Sequence, residues 1–427
     1  MLDIKLIREK PDYVRENLNK RGPEYVEYLN ELLEKDSEWR ALKTKNQELR
    51  HKRNILSKKI GELKAKGMDA SDVMRDAEKI PEEIKKNEER MKELEERIRI
   101  LLFKIPNLLH DSVPLGKDEN DNVEIRRCGE PPKFSFKPKS HLEVADGLID
   151  FAAGAKASGN GFTYLISDMV LLDASLQRFA IDFLMKKGFV LVEPPYMVNR
   201  KTYESMIGDP TSFSEASYKI EGEELYLIPT AEYPLGGMFI DRVLLKDELP
   251  IKLVGVSPCF RREVGTHGKY AKGLFRMHQF NKVEQLVISL PEDSWKFFDE
   301  LQKNSEELYQ KLGLHYRVVE ICSGDIGKKQ AKQYDIEVWM ADGVFREVGS
   351  NSNCTDYQAR RLNLKYREKE GSPPKGFVHI LNNTAIATSR AMIAILEQYQ
   401  QEDGSVKIPK VLQPYMGKDR IVPKKPL

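Results

Sequence analysis

Apolar residues recur along the first quarter of the chain with the period of a coiled coil. Between residues 32 and 63 they step by three and four, as the a and d positions of a heptad require. After a glycine-containing turn at 67–71 the same rhythm resumes over 73–101. The pattern predicts an antiparallel coiled-coil hairpin in which residues whose numbers sum to about 136 meet, such as Leu56 with Ile80.

Charge is distributed unevenly over this predicted hairpin. Residues 40–66 hold ten Lys or Arg against two Glu, whereas the return helix over 69–99 is net acidic. A basic edge on an arm of about 55 Å suits contact with a phosphate backbone. Many charge-rich heptad hairpins are instead solvated spacers or oligomerisation devices. The pattern alone leaves both interpretations open.

Beyond the hairpin the pattern becomes irregular. Five prolines and several turn-forming segments fall within residues 103–140, so we place a linker at 106–140, between an N-terminal arm at 1–105 and a second domain at 141–427. Strand-like and helical runs then follow without a regular βα alternation, which favours an α+β domain built on an antiparallel sheet flanked by helices. No GxxxxGK[ST] or credible GxGxxG motif supports a parallel-sheet nucleotide fold.

The composition of the chain argues against several classes of protein. The formal net charge of +2 argues against a globally basic nucleic-acid coat. Four cysteines without a CxxC pair predict a reducing compartment and no structural zinc. Since no stretch of about 18 apolar residues occurs, we expect a cytoplasmic protein without a membrane span.

The segment most informative about chemistry is 258–284, PCFRREVGTHGKYAKGLFRMHQFNKVE. Alternation predicts that Arg261 and Glu263 share one face of a strand. A hairpin of this kind offers an arginine to an α-phosphate, a carboxylate to an adenine amino group and an aromatic plane to the ring. After a turn, the predicted antiparallel partner strand carries Arg276, Met277, Phe280 and Glu284.

This segment resembles motif 2 of class II aminoacyl-tRNA synthetases, in the form found in the seryl-tRNA synthetase family. Helix 171–187 and the strand after it, which ends at Pro195, resemble motif 1 and imply a homodimer. HILNNTAIATSRAMIAILEQYQ at 379–400 resembles motif 3, in a form closer to archaeal and eukaryotic members than to the glycine-rich bacterial one. Its Arg390 lies near the start of a helix, where free N–H groups and a guanidinium both attract a polyphosphate.

The resemblance implies a ligase that activates L-serine with ATP and Mg²⁺ to seryl-adenylate and transfers the serine to tRNA(Ser). It leaves open whether tRNA(Sec) is also a substrate. It also implies that the hairpin grips tRNA, since family members hold the long variable arm of the tRNA in this way. Double-stranded RNA of that kind is recognised mainly by shape and backbone. The basic residues expected to contact it are Arg50, Lys52, Arg53, Lys58 and Lys59.

The resemblance also implies a role for each active-site residue, and Arg261, Arg390 and Glu347 are expected to be catalytic. Arg261 bridges the serine carboxylate and the α-phosphate, and Glu347 with Ser350 coordinates Mg²⁺. Gly349 and Asn351 depart from the usual family pattern, Glu-x-Ser-Ser-Cys-Ser-Asn. The expected ATP-binding set is Arg261, Arg262, Glu263, Met277, Phe280, Glu347, Val348, Gly349, Ser350 and Arg390.

A second set is expected to bind serine. Glu284 receives the ammonium group, and Asn382 and Thr384 are placed at the side-chain hydroxyl. A pocket that hydrogen-bonds a hydroxyl rejects alanine by leaving polar groups unpaired, whereas threonine must be excluded by size. The full set, which includes the LIPTAEY segment, is Thr230, Ala231, Glu232, Arg261, Glu284, Asn382 and Thr384.

Three alternatives compete with this interpretation. A related class II enzyme could activate threonine or glycine, although the TAE and LNNT segments favour serine. A paralogue could charge a carrier protein or lack activity, which the basic arm and the retained Arg261, Glu284 and Arg390 oppose. A coiled-coil scaffold without chemistry would leave those same residues unexplained.

Overall fold

The protein is described here from a computed structural model, which describes residues 1–208, 217–263 and 273–422. Its contacts divide the chain into two compact units, one of Leu2–Pro106 and the other of Met1 with Asn107–Leu427. No described helix is long and apolar enough to cross a bilayer.

The first unit is entirely helical. Two short helices precede two long ones that pack against each other as the predicted hairpin. The turn between the long helices contains Gly67, whose φ of 68° lies in the left-handed region that glycine adopts readily. The four helices are α1 (Ile4–Glu9), α2 (Pro11–Asn19), α3 (Pro23–Ala65) and α4 (Ser71–Lys104).

The heptad prediction is confirmed by burial along the hairpin. The a and d spacing also falls on Arg53, which is the one exposed residue among the predicted seam positions, whereas Ile80, Ile84 and Leu94 are buried. In the middle of the seam the Asn87 side chain donates a 2.8 Å hydrogen bond to Asn46, and both residues are buried. A polar pair inside an apolar seam favours one register over its alternatives.

The second unit contains all the described strands and nine described helices. The helices are α5 (His141–Val144), α6 (Phe151–Ser158), α7 (Asp168–Lys186), α8 (Arg200–Met206), α9 (Glu232–Gly237), α10 (Ser294–Lys311), α11 (Tyr357–Leu362), α12 (Thr388–Gln398) and α13 (Gln413–Met416). The strands are β1 (Val123–Cys128), β2 (Ile149–Asp150), β3 (Tyr164–Leu165), β4 (Val190–Val192), β5 (Met197–Asn199), β6 (Leu225–Leu227), β7 (Val243–Leu245), β8 (Ile251–Phe260), β9 (Gln279–Ser289), β10 (Tyr316–Glu320), β11 (Lys332–Trp339), β12 (Phe345–Asn353), β13 (Lys365–Arg367), β14 (Gly376–Phe377), β15 (His379–Ala387), β16 (Val406–Lys407) and β17 (Arg420–Ile421).

Eight strands form one sheet in the order β1-β10-β11-β12-β15-β9-β8-β4. Every pair in it is antiparallel except β4 with β8, which confirms the predicted α+β class. Helices α7, α10 and α12 pack on this sheet and bury its apolar side chains in the main core. The sheet thus forms a rigid platform from which neighbouring strands can present side chains.

The structure differs from the sequence expectations in three details. The interval 106–140 is not a simple linker, because it supplies β1, which pairs with β10 at the edge of the large sheet. Arg261 and Glu263 do not share a strand face, since β8 ends at Phe260 and Glu263 has a φ of 45°. The partner strand also starts late, because Arg276 and Met277 precede β9; the predicted turn between the strands lies largely at 264–272, outside the described residues.

Candidate active site

A cavity of about 580 Å³ opens on the face of the large sheet. The residues predicted to bind ATP or serine come together here from five separate parts of the chain. All but two of these residues line the cavity. Ala231 is fully buried beside the cavity, and Met277 instead lines two neighbouring cavities. The predicted residues that line it are Thr230, Glu232, Arg261, Arg262, Glu263, Phe280, Glu284, Glu347, Val348, Gly349, Ser350, Asn382, Thr384 and Arg390.

Strand register explains how the floor of this cavity forms. Glu284 on β9 lies opposite Thr384 on β15, and Asn382 on β15 lies opposite Ser352 on β12. Side chains directly opposite in an antiparallel pair point to the same face, and so do residues two apart on one strand. Three central strands therefore present polar side chains to the cavity side of the sheet.

One end of the cavity is rich in arginine. The Arg261 guanidinium lies 5.2 Å from the centre of the Phe280 ring, and its Nε donates to the Pro229 carbonyl at 3.4 Å. Arg276 contacts Glu263 at 3.4 Å, although it does not line the cavity. A guanidinium beside an aromatic plane is suited to a nucleotide, which brings both phosphate and a stacking ring.

Arg390 and Glu347 form an ion pair at the same end. The guanidinium contacts the Glu347 carboxylate at 3.1 Å and also donates to its backbone carbonyl at 3.1 Å. The Arg390 charge lowers the pKa of Glu347 below its ordinary value. Glu347 is therefore a carboxylate at neutral pH, available to a cation or a phosphate-bound metal.

The residues around Glu347 fit a hard cation. Ser350 follows on the same strand, and Asp335 on β11 lies directly opposite Ser350. Burial and the neighbouring Glu347 charge raise the pKa of Asp335. The described residues contain no group of three or more His, Cys, Asp or Glu that could hold a metal alone. Mg²⁺ commonly binds through one or two carboxylates with substrate phosphates, and this donor set matches that mode.

The other end of the cavity holds two buried Lys–Glu pairs. Glu232 accepts hydrogen bonds from Lys329 at 2.5 Å, Gln358 at 2.7 Å and Asn382 at 3.3 Å. Lys282 contacts Glu284 at 2.5 Å. Burial raises the pKa of Glu284, and the Lys282 charge opposes that rise.

Sequence reasoning missed Lys282, Lys329 and Gln358. Lys282 could have been found, since it lies two residues before Glu284 on a predicted strand and therefore on the same face. Lys329 follows β10 in a loop, and Gln358 lies on α11, so each reaches Glu232 only through the tertiary fold. No local pattern marks either of them.

The basic residues predicted to bind RNA lie on α3 in the first unit. All five are exposed, and Arg50 forms an ion pair with Glu88 at 2.7 Å. Lys52, Arg53, Lys58 and Lys59 have no ion-pair partner within the described part of the chain. Four uncompensated positive charges on one helix attract a polyanion.

Comparisons with known proteins agree along the whole chain. Residues 1–109 match the model of the seryl-tRNA synthetase N-terminal domain, and residues 216–399 match the tRNA synthetase class II core domain (G, H, P, S and T). The chain is 52% identical to a serine--tRNA ligase of Methanocella arvoryzae, over 98% of this chain and 99% of the relative. It is 49% identical to one of Pyrococcus abyssi, over 99% and 98%.

Solved structures give the same result. The crystal structure of seryl-tRNA synthetase from Pyrococcus horikoshii complexed with ATP matches with a TM-score of 0.96 at 48% identity, covering 100% of both chains. The cytoplasmic serine-tRNA ligase from Naegleria fowleri in complex with AMP matches with a TM-score of 0.89 at 34% identity, covering 99% of this chain and 98% of the other.

Proposed function

The chain belongs to the seryl-tRNA synthetase family, and from this premise we propose how its residues divide the work of the reaction. The enzyme activates L-serine with ATP and transfers the serine to tRNA(Ser). The observation that carries the assignment of residues is the single cavity into which the fold collects nearly all the predicted ATP and serine residues.

ATP binds at the arginine-rich end. Arg261 bridges the serine carboxylate and the α-phosphate, where negative charge builds up as the carboxylate attacks. Glu263 accepts a hydrogen bond from the adenine amino group, Phe280 stacks on the ring, and Arg390 holds the γ-phosphate. Glu347 and Ser350 would hold Mg²⁺, which neutralises phosphate charge when bound. The protein accelerates the reaction by positioning and charge stabilisation, without a covalent enzyme intermediate.

Serine binds at the end with the two Lys–Glu pairs. Its ammonium group meets Glu284, and its hydroxyl meets Asn382 and Thr384, whose side chains share the cavity face. Thr230 and Glu232 close the pocket from the α9 side. Alanine has no hydroxyl, so it leaves these polar groups without a hydrogen-bond partner. It binds poorly for this reason and not because of its size.

The N-terminal arm, residues 1–105, binds tRNA(Ser). The support is the exposed basic stretch of α3, where Lys52, Arg53, Lys58 and Lys59 lack ion-pair partners among the described residues. The contacts are to the phosphate backbone, so binding weakens steeply as salt rises.

The second domain, residues 141–427, forms a homodimer through α7 and β4, and the protein works in the cytoplasm. The support for dimerisation is a group of exposed apolar side chains on these two elements and the open edge of the sheet at β4. Exposed apolar patches of this kind often mark interfaces between subunits. The group comprises Val170, Leu171, Met185, Val190 and Leu191.

The test is ATP–pyrophosphate exchange without tRNA, with serine, threonine, alanine and glycine each supplied alone. We expect exchange with serine and at most weak exchange with the other three. Folded protein that gives no exchange with any of them in the presence of Mg²⁺ would overturn the assignment. Equal exchange with serine and threonine would refute the proposed serine-binding residues but not the activation of an amino acid by ATP.

A further inference from the structure

The buried pair of Lys282 and Glu284 lies in the serine half of the cavity. The side chains are only 6% and 2% exposed, and the ammonium contacts Oε2 of the carboxylate at 2.5 Å. The Thr384 hydroxyl approaches the same oxygen at 3.5 Å. No described residue hydrogen-bonds the other oxygen, Oε1. The carboxylate is therefore held by one oxygen while the second is left for a ligand.

We propose that Lys282 is the positioning residue of the amino-acid site: it keeps Glu284 charged and fixes its carboxylate so that Oε1 receives the ammonium group of serine. The inference rests on the proposed role of Glu284 and adds a residue to it. Lys282 itself does not need to touch serine.

The charges around Glu284 single out Lys282. Glu232 on α9 repels it, and Lys329, from the loop before β11, attracts it. Lys329 already forms an ion pair with Glu232. The positive and negative charges of this pair therefore act on the Glu284 carboxylate in opposite directions. Among the described residues, Lys282 is the one cation in direct contact with Glu284.

Removing this cation changes the protonation of the site. Burial already raises the pKa of Glu284, and the Lys282 charge is the largest influence that lowers it. Without that charge the pKa rises further, so Glu284 takes up a proton at a higher pH. A protonated carboxyl cannot neutralise an ammonium group. Serine binding, which needs the ionised form, is then lost at low pH and regained as pH rises through the new pKa.

The experiment compares K282M and K282R with the full-length wild-type enzyme. Serine-dependent ATP–pyrophosphate exchange is measured from about pH 5.5 to 9, varying serine and ATP separately. For K282M we expect the KM for serine to rise about tenfold or more near neutral pH, with the acid limb of its pH profile moved up by about one unit or more. The KM for ATP should change less than about twofold. K282R keeps the charge, so its acid limb should stay in place.

A matched control is available on the neighbouring strand. Lys252 on β8 contacts Glu300 at 2.7 Å in a half-buried pair, and neither residue lines the cavity. K252M removes the same kind of charge and should leave both KM values and the pH profile unchanged. If K282M does not fold, K282Q replaces it, because glutamine removes the charge but can still donate to Oε2.

Two outcomes contradict the proposal. The first is an unchanged acid limb in K282M or K282Q; the second is an equal rise in the KM for serine and for ATP, which would place Lys282 at the phosphates. The variant E284Q separates this inference from its premise. An unaltered KM for serine in E284Q would refute the role of Glu284. If the KM for serine is raised in E284Q but is that of the wild type in K282M, only the role of Lys282 is refuted.

Discussion

Both units of the chain hold ion pairs of similar length, but the pairs differ in their exposure to solvent. On the arm, Arg90 and Glu38 are 2.7 Å apart and their side chains are 46% and 37% exposed. In the cavity, Lys329 and Glu232 are 2.5 Å apart and only 11% and 5% exposed. Water screens the first pair and leaves the second unscreened, so a distance by itself says little about energy.

The difference separates two uses of charge. Buried charges must be paired or hydrogen-bonded, and in the cavity Glu232 is held by three contacts while Lys282 and Glu284 pair with each other. Exposed charges on the arm can be left unpaired at small cost, and Lys52 and Lys58 are such charges within the described residues. We therefore expect charge removal to affect chemistry in the cavity and tRNA association on the arm.

The largest effect is expected from Arg261→Ala. The guanidinium is the cavity charge proposed to contact both substrates, so its loss removes stabilisation of the charge that develops on the α-phosphate. We expect serine-dependent exchange to fall by about 10²–10³-fold or more. tRNA binding, measured by filter retention, should stay within about twofold of wild type, since no arm residue changes. If the variant retains serine-dependent exchange, Arg261 does not take part in the activation step.

A smaller effect is expected from Glu347→Gln. The amide keeps one oxygen but loses the negative charge that would hold Mg²⁺, so the Mg²⁺ concentration giving half-maximal exchange should rise about tenfold or more. Titration of exchange against free Mg²⁺ at saturating ATP measures this shift. If the half-maximal Mg²⁺ concentration is unchanged, Glu347 does not hold Mg²⁺ and only pairs with Arg390.

The sequence predicted the arm from local order, and it predicted the residues of the cavity through the resemblance of several separate motifs to one family. A heptad seam is visible in the spacing of leucines and isoleucines, and motif residues lie close together in the chain. The course of the chain after Phe260 was not predictable, because a positive φ at Glu263 has no signal in a residue other than glycine. The pairing of β1 with β10 joins residues far apart in sequence, and so does the contact of Gln358 with Glu232. Contacts of that kind are set by the whole fold.

The third prediction moves to the arm and replaces four basic residues of α3 with alanine: Arg50, Lys52, Lys58 and Lys59. Loss of phosphate contacts should lower kcat/KM for tRNA charging about 10- to 100-fold and flatten its salt dependence, while serine activation stays unchanged. Aminoacylation over a range of salt concentrations measures both.

A matched control removes four exposed lysines from the other long helix: Lys79, Lys85, Lys86 and Lys92. The change in net charge is similar, so a purely long-range attraction would weaken charging equally in both variants. We expect the α4 variant to keep most of its activity. If the α3 variant loses serine activation as strongly as charging, the division of labour between the two units is wrong.

The smallest effect is expected from Arg90→Met, which breaks the exposed pair with Glu38. Methionine retains much of the apolar stem and has a similar helix propensity, so the change is confined largely to the charge, which pairs with Glu38 and also with Glu93 at 2.9 Å. Water and salt screen exposed ion pairs, so the free energy of unfolding of the arm should fall only slightly. Hydrogen exchange of α4 amides, compared among R90M, Glu38→Gln and the double variant, measures the coupling within the arm. A coupling as strong as that of a buried pair would contradict this expectation, and exposure would no longer explain the contrast between the two units.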